Sequence, residues 1–218
     1  MDHQEKEPRK ITSTSFSWKP WELFDHIQSR ASMLPGGFEV DQWNRQAVKA
    51  LCYYFTGCTS FEKMSPPGQS WKLHKGLLIT GNTGAGKTTL MQLFKRNTRQ
   101  CYQVVNCRQL NVLFAIQGYE MLGRYSVPIR IPLAEETFYQ QELGTCFDDL
   151  GVENDNVRIN VMAEIILNRY ENSTPWHYTY ITTSLTAGQI KQRYGSRVQS
   201  KVREMFNMIV LPEKDRRL

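Results

Sequence analysis

The sequence predicts an α/β fold in which a five-stranded parallel sheet lies between helices, and two observations support this. Downstream of residue 73, five short apolar segments alternate with segments of helical periodicity, the pattern of parallel strands joined by crossover helices. The decapeptide GNTGAGKTTL, residues 81–90, satisfies G-x-x-x-x-G-K-[ST] at every fixed position. It follows the first of these strands and opens the first helix, so the alternation and the motif agree on the fold class.

Length and composition are consistent with one globular domain and an N-terminal extension. The chain has 218 residues, of which 40% are hydrophobic, and a formal net charge of +6. This charge permits contact with nucleic acid but does not require it. No apolar run approaches the ~20 residues that span a bilayer, and the N-terminus lacks the apolar core of a signal peptide. We therefore expect a cytoplasmic protein with no membrane partner.

The cysteines and histidines give no indication of a metal site. The five cysteines are scattered without a C-x-x-C pair, and the four histidines lie far apart in the sequence. This distribution fits reduced thiols buried as small apolar side chains, and structural zinc is not expected.

The N-terminal part of the chain is predicted to consist of a tail, a helical segment and a linker. Residues 1–15 are polar and charged, which predicts a disordered tail. Residues 16–72 form a predicted helical lead-in and linker. Within it, DQWNRQAVKALCYYF at residues 41–55 places apolar side chains every three to four positions, a stripe that favours core packing over a binding role. SPPGQS at residues 65–70 predicts a turn or linker, so the main domain is predicted to comprise residues 73–218.

The elements of this main domain follow from local pattern. The predicted strands are residues 76–80, 102–107, 145–149, 178–184 and 207–211. The helices predicted between them are residues 87–99, 109–122 and 158–170. Residues 123–137 fit no regular period, which predicts a long loop.

The Gly-rich loop predicts a P-loop nucleotide site. Its glycines allow the positive φ angles that turn successive backbone N–H groups toward phosphate oxygens, and the following helix adds its N-terminal dipole. Lys87 is expected to reach the β- and γ-phosphates, and the Thr88 hydroxyl to bind Mg²⁺. The chain lacks the N-K-x-D pattern that reads guanine, which favours ATP over GTP. The residues expected to bind the nucleotide are Gly81, Asn82, Thr83, Gly84, Ala85, Gly86, Lys87, Thr88 and Thr89.

Two further strand ends carry candidate catalytic groups. In CFDDL, residues 146–150, Asp148 is expected to hold Mg²⁺ and Asp149 to orient and deprotonate the attacking water. Ser184 follows the fourth strand. Because the carboxyl ends of parallel strands border one crevice, its hydroxyl could contact the γ-phosphate or the water. A turn-forming role for Ser184 is equally compatible with the sequence.

The segment RYGSRVQSKVREMF, residues 193–206, supplies a candidate arginine. Gly195 is typical of a helix end, and Ser196 with Gln199 fits a capping box that opens the next helix. Arg197 then lies in a first turn, where a cation opposes the helix dipole. Its guanidinium suits bidentate contact with phosphate, including that of a neighbouring subunit. The alternatives are a solvated surface arginine or, since the segment is basic, contact with DNA.

Together these segments resemble the AAA+ ATPases of the DnaC/IstB group, which are helicase loaders and transposon helper ATPases. The resemblance covers about residues 73–218 and is carried by GNTGAGKTTL, CFDDLG, the approach to YITTSLT, RYGSRVQSKVREM and LPEKDRR. It implies an AAA+ core in which Asp148 is the Walker B metal residue, Asp149 the catalytic acid, Ser184 sensor 1, and Arg197 an arginine finger. The chain departs from the group in carrying Ser184 where Asn is common and Asp149 where Glu is common. The short sequence after the fifth strand predicts a minimal or absent C-terminal lid.

The resemblance implies an ATP-hydrolysing DNA replication protein of the helicase-loader type. Such a protein would form a homo-oligomer when it binds ATP and Mg²⁺, engage DNA, more plausibly single-stranded than duplex, and deliver a replicative helicase. An IstB-type helper that assembles on duplex DNA and serves a transposase is the main alternative. A small-molecule kinase and an ATP-binding adaptor with slow hydrolysis also remain open.

Overall fold

The computed structural model describes residues 18–35, 37–132, 140–153, 159–172 and 175–212. The predicted disordered tail, residues 1–15, lies outside the described residues. The helices are α1 (Pro20–Ser32), α2 (Arg45–Phe55), α3 (Ser60–Lys63), α4 (Lys87–Phe94), α5 (Cys107–Gln117), α6 (Tyr119–Tyr125), α7 (Val161–Glu171) and α8 (Ala187–Met205), with a 3-10 turn at Trp176–Tyr178. The strands are β1 (Gly76–Thr80), β2 (Tyr102–Asn106), β3 (Ile129–Pro132), β4 (Gln140–Leu150), β5 (Thr179–Thr183) and β6 (Phe206–Val210).

The sheet confirms the predicted fold class. Its order is β2-β4-β5-β1-β6, and all four of these pairings are parallel. β3 adds a sixth strand, which pairs antiparallel with the first part of β4. The P-loop therefore leaves a central strand, β1, and β5 separates β1 from β4.

The structure corrects one predicted helix and one predicted loop. The predicted helix over residues 109–122 is two helices, because Gly118 adopts a φ of 58° between α5 and α6. The predicted loop over residues 123–137 is partly regular, since α6 continues to Tyr125 and β3 follows at Ile129–Pro132. The remainder of that segment, residues 133–137, lies outside the described residues.

Helices cover both faces of the sheet, as the alternation of strands and helices predicts. Leu77 and Ile79 of β1 pack into a core with α1, α2, α3 and α4, whereas Leu78 between them faces α5, α6, α7 and α8. The same period of two places Tyr180 and Ile181 of β5 on opposite faces. None of the helices in the part of the chain that the structure describes is long and apolar enough to cross a membrane.

The N-terminal helices share a core with the sheet. The ring of Phe55, in α2, stacks on Phe94 at 5.2 Å and on Tyr102 at 5.7 Å between centroids. The Tyr54 hydroxyl donates to the Lys75 carbonyl at 2.7 Å. The predicted apolar stripe is thus a packing surface, except that Trp43 precedes α2 and is 51% exposed. Aromatic stacking fixes α2 against the helix and strand that follow the P-loop.

Arg169 of α7 is fully buried beneath the sheet and organises the loops around it. Its guanidinium lies over the Phe147 ring at 5.0 Å, and burial lowers its pKa to about 9, which leaves it charged at neutral pH. Its hydrogen bonds connect α6, β4, β5 and the 3-10 turn. The acceptors are the carbonyls of Tyr125, Val127 and Tyr178 and the hydroxyls of Thr145 and Thr179.

We predict that Arg169→Met destabilises the protein by at least about 3 kcal/mol, because several buried acceptors lose their donor and each costs about 1–3 kcal/mol. Urea unfolding followed by circular dichroism would measure the change. Arg130→Met is the matched control, since that side chain is 69% exposed and pairs with Glu142 only at the surface. Equal effects of the two substitutions would contradict a structural role for the buried guanidinium.

Candidate nucleotide-binding site

The P-loop connects β1 to α4 with the geometry of a phosphate cradle. Gly84 and Gly86 adopt φ angles of 86° and 87°, a conformation that an L side chain adopts only with strain. Lys87 begins α4 and is buried, and its Nζ donates to the carbonyls of Gly81 at 2.7 Å and Asn82 at 2.9 Å. The ammonium is thus held across the mouth of the loop, and no side chain caps the N-terminus of α4. Both features suit a polyphosphate.

The loop opens onto a cleft of about 490 Å³, a size typical of small-molecule and cofactor sites. Asp149 and Ser184, from the ends of β4 and β5, line this cleft together with the P-loop. Another part of the cleft wall comes from the segment between α1 and α2, which the sequence analysis did not single out. Its lining residues are Leu34, Pro35, Gly37 and Phe38. The mostly apolar character of these four residues fits a nucleoside better than a second phosphate.

The carboxylate of Asp148 lies behind the cleft and meets the P-loop helix directly. The Thr88 hydroxyl donates to its two oxygens at 2.9 and 3.0 Å. The Thr182 hydroxyl donates to Oδ1 at 2.6 Å. Burial raises the pKa of the Asp148 carboxyl, and the hydrogen bonds from Thr182 and Thr88 act in the opposite direction. The two side chains predicted to bind Mg²⁺, which come from different elements, are therefore in contact.

Asp149 is presented to the cleft by an unusual backbone conformation. Its φ of 56° is the one positive value among the non-glycine residues that the structure describes. The N–H of Asp149 donates to the Thr182 hydroxyl at 2.8 Å. Ser184 is exposed at the end of β5, in the same cleft. The structure therefore brings together Lys87, Thr88, Asp149 and Ser184 as the sequence analysis expected, and it adds Thr182, which that analysis missed.

Comparison with known proteins identifies the fold. No family model matches the chain, and no curated protein matches its sequence. Among solved structures, the DnaC helicase loader has a TM-score of 0.53 and 18% identity over 79% of this chain and 92% of that chain. DnaA from Aquifex aeolicus bound to AMPPCP has a TM-score of 0.50 and 18% identity over 83% of this chain and 50% of that one. DnaI has a TM-score of 0.48 and 19% identity over 92% of this chain and 95% of that chain.

The chain has the AAA+ P-loop NTPase fold.

Within this AAA+ fold, Arg197 lies apart from the chain's own cleft. It is on α8, its side chain is 69% exposed, and it pairs with Glu171 at the end of α7. α8 is interrupted at Gly195, whose φ of 87° and ψ of 165° are not helical, so the predicted break is present. The predicted capping box is wrong, because the Gln199 side chain donates instead to the Ala187 carbonyl at 2.8 Å. That bond spans the interruption and ties the two halves of α8 together.

A buried carboxylate connects the turn beside the P-loop cleft to α8. Glu153, four residues after Asp149, accepts the N–H of Gly151 at 2.8 Å. It also accepts the Tyr194 hydroxyl, and its backbone carbonyl accepts Arg193. Burial and the neighbouring Glu153 raise the pKa of Tyr194, so its hydroxyl stays protonated and remains a donor. The turn that follows Asp149 is thus attached to the helix that carries Arg197.

We predict that Lys87→Met weakens ATP binding by about tenfold to 100-fold, since a hydrogen bond to a charged group contributes about 1.5–3 kcal/mol. Titration of a fluorescent ATP analogue would measure the affinity. Lys95→Met is the control, because this exposed lysine caps the opposite end of the same helix. Unchanged affinity in the Lys87 variant would place the nucleotide elsewhere.

Proposed function

We propose that this protein is an ATP-binding and ATP-hydrolysing AAA+ protein of the helicase-loader type, which assembles on DNA and delivers a replicative helicase. The observation that carries the proposal is the contact between Thr88 of the P-loop helix and Asp148 of β4, beside the cleft that Asp149 lines. A phosphate cradle, a metal-binding pair and an acid are what ATP hydrolysis requires.

The residues present fit ATP with Mg²⁺. The P-loop residues 81–89 bind the phosphates through backbone N–H groups and Lys87, which exchanges its two carbonyl acceptors for phosphate oxygens. Leu34 and Phe38, which line the same cleft, would contact the base. Thr88 and Asp148 would hold the Mg²⁺ ion, whose charge would offset that of the phosphates.

Hydrolysis needs a group that orients water toward the γ-phosphate, and Asp149 takes this role. It is half-buried in the wall of the cleft, within one residue of the metal-binding Asp148. Ser184 donates a hydrogen bond to the γ-phosphate or the water. Because both side chains are shorter than the Glu and Asn of the group that the sequence resembles, we expect slow intrinsic hydrolysis.

The DNA and helicase parts of the proposal draw on different support. The solved structure of the DnaC helicase loader matches over 92% of its own length, so a similar role in replication, in the cytoplasm, is the simplest assignment. The net charge of +6 suits contact with DNA, which we propose is single-stranded. A transposition helper remains the second candidate on the sequence resemblance, and the choice of DNA discriminates between the two.

We predict that single-stranded DNA raises ATP turnover more than duplex DNA does. We also predict that Asp149→Asn abolishes turnover, because the amide cannot accept the water's proton, while ATP affinity stays within about threefold. Phosphate release with each DNA, together with nucleotide titration, measures both. Glu164→Gln, an exposed carboxylate on α7, is the control. Stronger stimulation by duplex would favour the transposition helper, and phosphate transfer to a small molecule would favour a kinase.

We further propose that Arg197 completes the site of an adjacent subunit. Its side chain is exposed and does not line the chain's own cleft, which supports this arrangement. Arg197→Ala should therefore lower hydrolysis only where the protein assembles. A mixture with Lys87→Ala protein should recover part of the activity, because an intact P-loop then meets an intact arginine. Light scattering paired with phosphate release measures this, with exposed Arg203→Ala as the control. A mixture with no recovered activity would argue against a shared site.

A further inference from the structure

The pairing between β4 and β5 is irregular at the two candidate carboxylates. Two residues of β4, Asp148 and Asp149, face a single residue of β5, Thr182, so β4 bulges at this point. Regular parallel pairing holds on either side of the bulge, between Phe147 and Ile181 and between Leu150 and Thr183. A bulge of this kind re-aims side chains and leaves a ladder group without its usual partner.

The hydroxyl of Thr182 takes the place of the missing ladder contacts. It accepts the N–H of Asp149 at 2.8 Å and donates to Oδ1 of Asp148 at 2.6 Å. Thr182 is fully buried and does not line the cleft. A single side-chain oxygen thus holds the backbone of one carboxylate residue and the side chain of the other.

This arrangement supports a conformation that Asp149 would not adopt without support. A left-handed backbone costs a non-glycine residue about 1–2 kcal/mol, and such conformations persist where the surroundings over-determine them. At its φ of 56°, Asp149 reaches the cleft while the preceding side chain, Asp148, turns to Thr88. In a regular strand, adjacent side chains would instead point to opposite faces of the sheet.

We propose that Thr182 is a positioning residue for ATP hydrolysis: its hydroxyl sets the bulge that aims Asp148 at the metal site and Asp149 at the water. This inference rests on the proposed ATPase function. Thr182 does not line the cleft, so its effect passes through the two carboxylate residues that its hydroxyl contacts.

The neighbouring Thr183 provides a matched control. It is equally buried on the same strand, and its hydroxyl donates to the Leu150 carbonyl at 2.6 Å and accepts the N–H of Leu185 at 3.0 Å. It therefore makes the same number of hydrogen bonds as Thr182, but none of them involves a carboxylate residue. Loss of either hydroxyl should lower stability, more so at Thr182, whose hydroxyl donates to a carboxylate. Only loss of the Thr182 hydroxyl should disturb the metal and water positions.

The test compares Thr182→Val, Thr182→Ser and Thr183→Val with the wild-type 218-residue chain. We expect Thr182→Val to lower kcat by about tenfold to 100-fold, the effect of misplacing a reacting group by a fraction of an ångström to an ångström, with KM within about threefold. The gain in affinity for a fluorescent ATP analogue on adding Mg²⁺ should shrink, while affinity in EDTA should stay unchanged. Thr182→Ser should restore both properties. Thr183→Val should lower the Tm but keep most of the wild-type kcat.

Three outcomes would overturn the proposal: wild-type kcat and Mg²⁺ dependence in Thr182→Val, an equal loss of kcat in Thr183→Val, or no rescue by serine. Should the valine variant not fold, Thr182→Cys replaces it, because a thiol of similar size donates more weakly; wild-type values in that variant would likewise overturn the proposal. A wild-type protein that binds ATP without hydrolysing it would refute the proposed function alone, and the Mg²⁺ dependence of affinity would still decide the role of Thr182.

Discussion

The hydrogen bonds that converge on the Asp148 carboxylate join three separate parts of the fold. Asp148 lies near the carboxyl end of β4, Thr182 belongs to β5, and Thr88 belongs to the helix that follows β1. Since β5 lies between β4 and β1, the phosphate loop and the acids are not on neighbouring strands. A buried carboxylate without partners is costly, so these contacts also constrain how the strands and the helix are placed. The stability of this corner and its chemistry therefore depend on the same few atoms.

The two faces of the sheet are built in different ways. On the face of α4, aromatic rings from the N-terminal helices interlock with those of the sheet, as with Phe55, Phe94 and Tyr102. On the other face, the buried guanidinium of Arg169 supplies directional hydrogen bonds beneath the aliphatic core. Apolar burial is non-directional, whereas a multiply bonded guanidinium requires each acceptor at a defined position. The loops on the Arg169 face are accordingly tied to fixed positions around α7.

The parts of the molecule that sequence reasoning captured are those set by local pattern. The P-loop, the five parallel strands and the clustering of Asp149 and Ser184 at one edge follow from periodicity and from the geometry of parallel sheets. The additional strand β3 was missed because its alternation covers only four residues, which Pro128 precedes and Pro132 ends, and because it depends on pairing with β4. Thr182 was missed because a bulge is a property of two strands together, and two successive buried threonines were the only signal of it. The part of the cleft lined by Leu34 and Phe38 was missed because no local pattern links that segment to the P-loop, which follows it by more than forty residues.

The wall formed by Leu34 and Phe38 has a thermodynamic consequence. It continues directly from α1, whose Leu23 and Ile27 are buried in the sheet's core and whose Arg30 donates to the Leu93 carbonyl at 3.4 Å, at the end of the P-loop helix. Any ligand held between this wall and the P-loop is therefore coupled to the docking of α1. Coupling of this kind is reciprocal. A partner that binds α1 in its docked position raises the affinity for the ligand, and the ligand raises the affinity for that partner by the same factor.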